Sequence, residues 1–551
     1  MTLRLMLLST TASVLLAANQ AFAQDQASAP PPTKHHHADS VSERLDRLER
    51  VIETQQAEIR ELKAQLVQGP ASGGATSAGA QMQAPTPQPE VTAQQFEALQ
   101  NEVHEQAVAQ SKRPVITFHH ARPTIATADG RWTFSPVLDV AGDFADYDAA
   151  HADVAGIPLK QTGTNFRRAI IGFTGTMAGD FSYRFAVDFG ATNGDETYQA
   201  ALCGSYTAEK LCTTGAGSGP HIKDAWVGYT GILAPFTFQI GAMSPPANLG
   251  DATTGADLLL NERASPAQMS RGLAAGGDVG RESVGFAGYG DWWNVSAFLT
   301  GDTVGKADLI APGSSQEAVV GRAVFAPIHD PETNLTVHIG GNGSYVIHPA
   351  QTTTVSGSTG LPVTGDFSSF SDYPEIRVDS VTFLNTGSIA ATSAYATGVE
   401  GAVSYGPLLL EGENFWYGID RVPTPGKTDP NFSGWYVEGS WVITGEPRRY
   451  NIAQGAFTRP DAGDSFDPAS GSWGAWELAG RYSSADLVYD EGLSDAVYGG
   501  KQDILSFGVN FYPIYNVKFM FDYEHVDVSD VGKLNNNGEF SVLSTRAQVT
   551  F

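Results

Sequence analysis

The sequence is short of cysteine, of basic residues and of long apolar segments. Its 551 residues include two cysteines, too few for a disulfide framework or a four-thiolate zinc site. The 33 basic residues stand against 60 acidic ones, a formal net charge of −27 at pH 7, which argues against binding to nucleic acid. Beyond the amino terminus no apolar run is long enough for a transmembrane helix, which excludes a helical membrane protein.

The amino terminus has the pattern of a secretory signal peptide. A basic start, an apolar segment and an Ala-Phe-Ala sequence precede Gln24, so we expect residues 1–23 to be cleaved and the mature chain to lie outside the cytoplasm. Disulfides form in such compartments. Cys203 and Cys212 lie in a Gly/Thr/Ser-rich segment and are therefore expected to close a small disulfide loop.

A heptad pattern precedes the main part of the chain. Residues 24–40 are expected to be disordered, and over 41–68 apolar residues recur at spacings of four and three between charged positions of both signs. The pattern predicts a short α-helical coiled coil, with a single amphipathic helix packed on a domain as the alternative. Residues 69–112, rich in Gly, Ala, Pro and Gln with a weak helical pattern at their end, predict a flexible linker.

Residues 113–551 are predicted to form one all-β domain, because from about residue 131 the pattern has a period of two. The clearest segment is 180–189, where aromatic and aliphatic residues alternate with polar and charged ones. A soluble sandwich also alternates, but repeated charges on the second face fit a lipid-facing exterior and a water-filled lumen. The chain ends its last such segment on Phe551, which resembles the terminal signature of bacterial outer-membrane barrels.

The connections between the candidate strands alternate between tight turns and long loops. This asymmetry is typical of outer-membrane barrels. The sequence therefore predicts a sixteen-stranded antiparallel transmembrane β-barrel, preceded by the short coiled coil in the periplasm. The predicted strands are 131–144, 165–177, 180–190, 221–231, 235–243, 281–289, 292–301, 316–327, 334–347, 395–405, 408–419, 432–444, 473–484, 502–512, 515–528 and 539–551.

Three connections, 243–281, 347–395 and 444–473, are much longer than a hairpin needs, and we expect them to fold into the lumen. Guanidinium groups in a narrow aqueous constriction can replace part of an anion's hydration shell with charge-assisted hydrogen bonds. The candidate anion-binding or pore-lining residues are basic side chains in these segments or at lumen-facing strand positions: Arg168, Arg184, Arg263, Arg271, Arg448, Arg449, Arg459, Arg481 and Lys518.

Several segments resemble the phosphate-selective porin O and P family. The most specific are GWYVEGSWVITGEPR at 434–448 and GAWELAGRYS at 474–483. Further similarity lies in FRRA at 166–169, IKDAWVGY at 222–229, NFYP at 510–513 and NVKFM at 516–520. The resemblance implies a homotrimeric sixteen-stranded channel of the bacterial outer membrane. It also implies infolded arginines that conduct small anions such as phosphate or polyphosphate, with outer-membrane lipid and lipopolysaccharide as neighbours.

The residues alone leave alternatives open. Acidic side chains also face the lumen, so a weakly selective or cation-preferring general porin is one alternative. The arginines can equally form ion pairs that anchor the barrel wall. A structural protein that tethers the envelope to the cell wall through the coiled coil is another alternative. An enzyme is not predicted, because no histidine lies in a recognisable catalytic motif, and no cofactor or metal site is expected.

Overall fold

A computed structural model describes residues 113–148, 153–154, 157–159, 162–190, 220–304, 315–355, 362–379, 381–463, 465–532 and 536–551. They belong to one compact unit, Gln94–Phe551. The signal peptide, disordered segment, coiled coil and linker predicted within residues 1–112 lie outside the described residues. The predicted Cys203–Cys212 loop also lies outside them.

Sixteen antiparallel strands form a closed ring, which confirms the predicted barrel. Each strand pairs with its neighbours in the chain, and the last pairs with the first, with Thr545 opposite Phe144. Closure leaves the ring without an unpaired edge, as a barrel in lipid requires. The strands are β1 Thr133–Asp148, β2 Thr162–Met177, β3 Phe181–Asp188, β4 His221–Leu233, β5 Phe236–Met243, β6 Arg281–Tyr289, β7 Trp293–Thr303, β8 Glu317–Asp330, β9 Leu335–His348, β10 Ile389–Tyr405, β11 Leu408–Arg421, β12 Asn431–Val442, β13 Ala475–Tyr489, β14 Val497–Ile514, β15 Val517–Val531 and β16 Asn536–Thr550.

The two faces of the wall follow the alternation of the sequence. In β15, Phe519 and Phe521 are exposed on the outside, whereas Lys518, Asp522 and Glu524 are buried on the inside. Successive side chains of a strand point to opposite faces, so one strand supplies both an apolar exterior and a charged interior. The exterior therefore suits lipid, and the interior collects most of the ionisable groups of the wall.

The turns on one side of the barrel are short. Six of its seven turns have two to four residues, and the exception is the segment 443–474. The opposite side carries the long loops, including 244–280 and 349–388. The first of these contains two helices, α1 Leu249–Ala252 and α2 Ser265–Ala274. Among the described residues, no helix is long and apolar enough to cross a membrane.

Short strands lie outside the ring. A hairpin of Val115–His119 and Arg122–Ala126 pairs with the start of β1. Its first strand is exposed along its whole length, so it has no buried face and no alternating pattern that would reveal it in the sequence. Further short pairs are Asp153–Val154 with Ile157–Pro158, Gln351–Val355 with Pro362–Ser368, Ser371–Asp372 with Leu384–Asn385, and Tyr450–Asn451 with Ala456–Phe457.

Several barrel strands extend further toward the long loops than the sequence predicts. Strand β10 begins at Ile389 instead of residue 395, and β14 begins at Val497 instead of residue 502. Backbone pairing continues to Ala391 of β10, opposite Arg421, and to Val497 of β14, opposite Tyr489. The alternation that marks a strand in sequence is interrupted there, because the register shifts between Ala391 and Ser393 of β10 and because Gly499 and Gly500 of β14 have no side chain.

Candidate functional site

The loop 244–280, which we call inner loop A, lies inside the barrel. The backbone N–H groups of Leu249 and Gly250 donate to Glu413 of β11, at 3.0 and 2.9 Å. On another part of the wall, the backbone N–H of Asn261 donates to Asp522 of β15, at 2.7 Å. Anchors on both β11 and β15 hold the loop across the lumen.

The loop 349–388, called inner loop B, packs against inner loop A. Glu375 in this loop is fully buried, and its Oε1 accepts the backbone N–H of Ser265 at 3.1 Å and the hydroxyl of Ser483 of β13 at 2.6 Å. Phe383 and Leu384 of the same loop are buried with apolar side chains. Inner loop B therefore joins inner loop A to the wall.

The segment 443–474, called the inner turn, enters from the opposite end. Asn294 of β7 donates to the carbonyl of Ala453 at 2.8 Å. The backbone N–H of Arg459 donates to Asp257 of inner loop A at 3.0 Å. All three long connections therefore narrow the lumen, which confirms the prediction that they fold inward.

A β-bulge places two consecutive arginines inside the barrel. Ala141 of β1 lies opposite Arg168 of β2, but Asp143 lies opposite Asn165, so two residues of β2 oppose one residue of β1. Phe166 faces outward, whereas Arg167 and Arg168 are both buried. A bulge interrupts strict alternation in this way and can aim a side chain at a functional site.

Three carboxylates of inner loop A neutralise two of the arginines around this bulge. Arg167 donates to both oxygens of Glu262, at 2.7 and 3.1 Å, and to Asp278 at 3.0 Å. Arg271 contacts Asp251 and, at 3.2 Å, Asp278. Burial alone raises the pKa of Glu262 and of Asp278, but the guanidinium of Arg167 and its neighbours hold both values well below the usual range. Both carboxylates are therefore ionised and paired with arginines.

Two further arginines have no carboxylate partner among the described residues. Arg168 is 5% exposed, and neither of its terminal nitrogens has a hydrogen-bond partner. Arg263 donates only to the backbone carbonyls of Gly250 and Thr253, at 2.5 and 2.6 Å. Burial lowers the pKa of Arg263, and the neighbouring Arg271 lowers it further, as expected for an uncompensated charge. The pair leaves positive charge available at the constriction.

We call Arg167, Arg168, Arg263 and Arg271, with Asp251, Glu262 and Asp278, the basic cluster. Four guanidinium groups meet three carboxylates, so the cluster has an excess of positive charge. The backbone of Gly255 lies close to it, since an added Cβ would stand 2.7 Å from Cζ of Arg168. Dry, fixed guanidinium groups act more strongly on an anion than groups in bulk water do.

Arg448 and Arg184 each form an ion pair with one strand carboxylate. Arg448 of the inner turn donates to both oxygens of Glu477, at 2.5 and 2.8 Å, and both side chains are buried. Arg184 of β3 pairs with Asp224 of β4 at 2.8 Å in a more exposed position. The first pair anchors the inner turn to β13.

Arg481 and Lys518 bind inner loop A. Arg481 donates to Glu438 at 3.2 Å and to the carbonyl of Glu262 at 2.9 Å. Lys518 donates to the carbonyl of Leu258 at 2.5 Å. Both side chains are buried, so they hold the loop as well as contributing charge to the lumen.

The two remaining predicted residues belong to the inner turn. The guanidinium of Arg459 lies 3.5 Å from Asp257, with its carbon 4.4 Å from the ring centre of Tyr515. Arg449 is exposed. Of the nine predicted basic residues, the structure thus brings Arg168, Arg263 and Arg271 together.

An acidic wall lies on the far side of the ring from β2. Glu400 of β10 is directly opposite Glu413 of β11, and Glu411 of β11 is directly opposite Glu438 of β12. All four are buried. In a ring of sixteen strands, β10 is eight strands from β2, and inner loop A bridges the two sides, since the backbone of Gly250 donates to Glu413 and accepts from Arg263. Glu400 pairs with Arg322, and Glu438 pairs with Arg481, so arginines neutralise part of this acidic wall.

The sequence analysis did not select Arg167, because strict alternation turns it outward. The same analysis missed Arg322 of β8, which donates to Glu400 at 2.6 Å while Glu400 also contacts His338 at 3.1 Å. Two adjacent arginines in an otherwise alternating strand are a usable signal of a bulge. Nothing local in the sequence identifies the partner of Arg322, because that contact joins strands distant in the chain.

A closed barrel with infolded, charged loops defines a channel protein of the outer membrane. The family description "Phosphate-selective porin O and P" matches residues 137–551, and the chain belongs to this family. The resemblance noted in the sequence is therefore confirmed.

Individual relatives are distant. An uncharacterized protein of Caulobacter vibrioides is 28% identical over 181 residues, which is 32% of this chain and 34% of that protein. The chain thus spans about a third of the length of this relative. Among solved structures, outer-membrane expressed OmpT of Vibrio cholerae is 11% identical, covering 76% of this chain and 98% of that one, with a TM-score of 0.45. An anion-selective porin from Comamonas acidovorans is 11% identical, with coverages of 76% and 100% and a TM-score of 0.44.

Proposed function

We propose that this channel admits small anions such as phosphate or polyphosphate, and that Arg168 and Arg263 form the site where the anion sheds part of its hydration shell. The observation that carries the proposal is Arg168, whose two terminal nitrogens are buried and have no partner among the described residues. A phosphate oxygen is a strong acceptor for such a fork of N–H donors.

Neighbouring ion pairs support this role. Arg167 and Arg271 are held by carboxylates, and through them the bulge of β2 and the end of α2 are tied to one another. Rigid positioning lowers the cost of arranging donors around an anion. The other predicted residues would contribute to the field that draws anions along the lumen: Arg184, Arg271, Arg448, Arg449, Arg459, Arg481 and Lys518.

We further propose a homotrimer in the outer membrane, with the short-turn side and the amino-terminal segment in the periplasm. The family resemblance supports the trimer, and one solved form of Vibrio cholerae OmpT carries the description "trimer form". We assign the coiled coil predicted at 41–68 to assembly. Deletion of residues 24–112 should then reduce trimers on native gels while leaving single-channel conductance unchanged; full trimer content after deletion would contradict this assignment.

A cation-preferring general porin is the second candidate, because four buried glutamates form the acidic wall. The two functions differ in the reversal potential of the purified protein in a planar bilayer across a KCl gradient. Anion preference that persists when phosphate replaces chloride supports our proposal. A cation-preferring or neutral potential would favour the general porin and leave the barrel itself unaffected.

A further inference from the structure

A second group of buried polar atoms lies on the inner wall, on strands β14 and β15. Glu524 is fully buried, and no side chain within the described parts of the chain donates a hydrogen bond to either of its carboxylate oxygens. Ser506, directly opposite Glu524 in the ladder, is also fully buried with an unpartnered hydroxyl. Asp522, two residues from Glu524 on the same face, has one unpartnered oxygen, Oδ1.

The surroundings of Glu524 make an isolated charge costly. Val526, the next lumen-facing residue of β15, is fully buried with Phe383, Ile504 and Val542 in an apolar cluster. An ionised carboxylate without a compensating charge is strongly destabilised in such a place. Glu524 therefore needs a compensating positive charge or a proton.

The basic side chains near Glu524 already form ion pairs with other carboxylates. Arg481 contacts Glu375 and Glu438, and it forms no ion pair with Glu524. Arg546 contacts Asp143 at 2.6 Å and Glu262 at 2.7 Å. Across the described residues, Glu524 makes no ion pair within 4.0 Å, so side chains of the protein do not neutralise it directly.

We propose that Glu524, Oδ1 of Asp522 and the hydroxyl of Ser506 bind a hard divalent cation of the Ca²⁺ type. The three residues supply oxygen donors, which are the preferred ligands of Ca²⁺ and Mg²⁺, and no imidazole or thiolate that would favour zinc. Directly opposed residues of an antiparallel pair bring their Cβ atoms to about 5 Å, close enough to share an ion. Two carboxylates balance the double charge. Ca²⁺ tolerates irregular ligand geometry, which suits ligands fixed on two strands.

Calcium binding to the purified full-length protein in detergent tests the site, by equilibrium dialysis with radioactive Ca²⁺. Glu524→Gln removes a charged ligand while preserving shape, and Ser506→Ala removes a neutral one. Glu282→Gln, at an exposed carboxylate of β6, is the matched control. We expect the wild type and the control to bind one more Ca²⁺ per chain than Glu524→Gln, and Ser506→Ala to bind that ion at least about tenfold more weakly.

Two results would overturn the proposal. Equal calcium binding by the wild type and by Glu524→Gln would place any bound ions elsewhere. The absence of specific calcium binding to the wild type would also overturn it. If infrared absorption then showed a protonated carboxyl that Glu524→Gln abolishes, a proton would be what compensates Glu524. If Glu524→Gln failed to fold, the calcium affinity of Ser506→Ala compared with that of the wild type would decide the question. Anion conductance is not measured here, so the result is independent of the proposed channel selectivity.

Discussion

Gly255 of inner loop A lies against the guanidinium of Arg168, so that a Cβ at residue 255 would stand 2.7 Å from the Cζ atom. Real side chains do not tolerate such a distance, and the long arginine side chain is the part that can move. The glycine thus leaves room for a buried guanidinium whose terminal nitrogens have no partner in the described structure. The proposed anion site depends on this close approach.

Gly255→Ala should displace the guanidinium of Arg168 and weaken phosphate binding, with little loss of stability because the side chain can rotate away. The expected change is about tenfold in the phosphate concentration that halves chloride conductance, comparable to the loss of one charge-assisted hydrogen bond. Gly272→Ala is the control, because a Cβ there meets nothing within 4 Å and lies in the same loop. If phosphate blocked the chloride conductance of Gly255→Ala and Gly272→Ala equally, Gly255 would not be part of the anion site.

The buried Arg448–Glu477 pair should contribute far more to stability than the more exposed Arg184–Asp224 pair. Glu477→Gln leaves a guanidinium buried without its charge partner, which costs about 3–5 kcal/mol. Asp224→Asn should cost no more than about 1 kcal/mol, because water screens that pair. The free energy of unfolding in urea measures both changes. Similar losses for the two variants would contradict the structural role assigned to Arg448.

Asp372 of inner loop B predicts a pH dependence of stability. Burial raises the pKa of its carboxyl to about 6, although Arg377 opposes the shift. A carboxyl whose pKa is higher in the folded protein stabilises it below the unfolded value, near 4, and this stabilisation is lost as the pH rises through 6. Between pH 7 and pH 4 the wild type should therefore gain up to about 3 kcal/mol from this group.

The thermal unfolding temperature of the wild type and of Asp372→Asn, followed over this pH range, measures the contribution. Glu262 and Asp278, whose pKa values are held well below the usual range, lower the stability of both proteins equally as the pH approaches 4, because only the unfolded chain takes up their protons. The difference between the two proteins should grow toward low pH in favour of the wild type. Parallel curves would show that Asp372 titrates normally.

Much of the barrel could be predicted from sequence because alternation is a local property. The faces of β15 follow directly from the order of Lys518, Phe519, Phe521 and Asp522. The inward position of the three long connections also followed, since a loop that long needs somewhere to bury its apolar residues. The first residues of β10 and β14 were harder to predict, because a register shift in β10 and two adjacent glycines in β14 interrupt the alternation there.

The partners within the lumen could not be predicted. Arg167 faces inward only because the bulge adds one residue to β2 relative to β1. The sequence of neither strand alone determines the pairing register that creates this bulge. Likewise, Arg168 lacks a carboxylate partner while its neighbour Arg167 has two, although the two arginines are adjacent in sequence. The contacts of Arg167 with Glu262 and Asp278 join residues 95 and 111 positions apart, and they depend on how inner loop A crosses the lumen.

The most direct test of the account is phosphate block of chloride current through single channels of the wild type and of Arg168→Gln. Arg131→Gln, at an exposed arginine bound to the turn carbonyl of Ala178, is the control. We predict that low phosphate concentrations block the wild type and the control, whereas Arg168→Gln requires at least about tenfold more phosphate and loses part of its anion preference. Equal block of all three channels, or no block of the wild type, would contradict an anion site at Arg168.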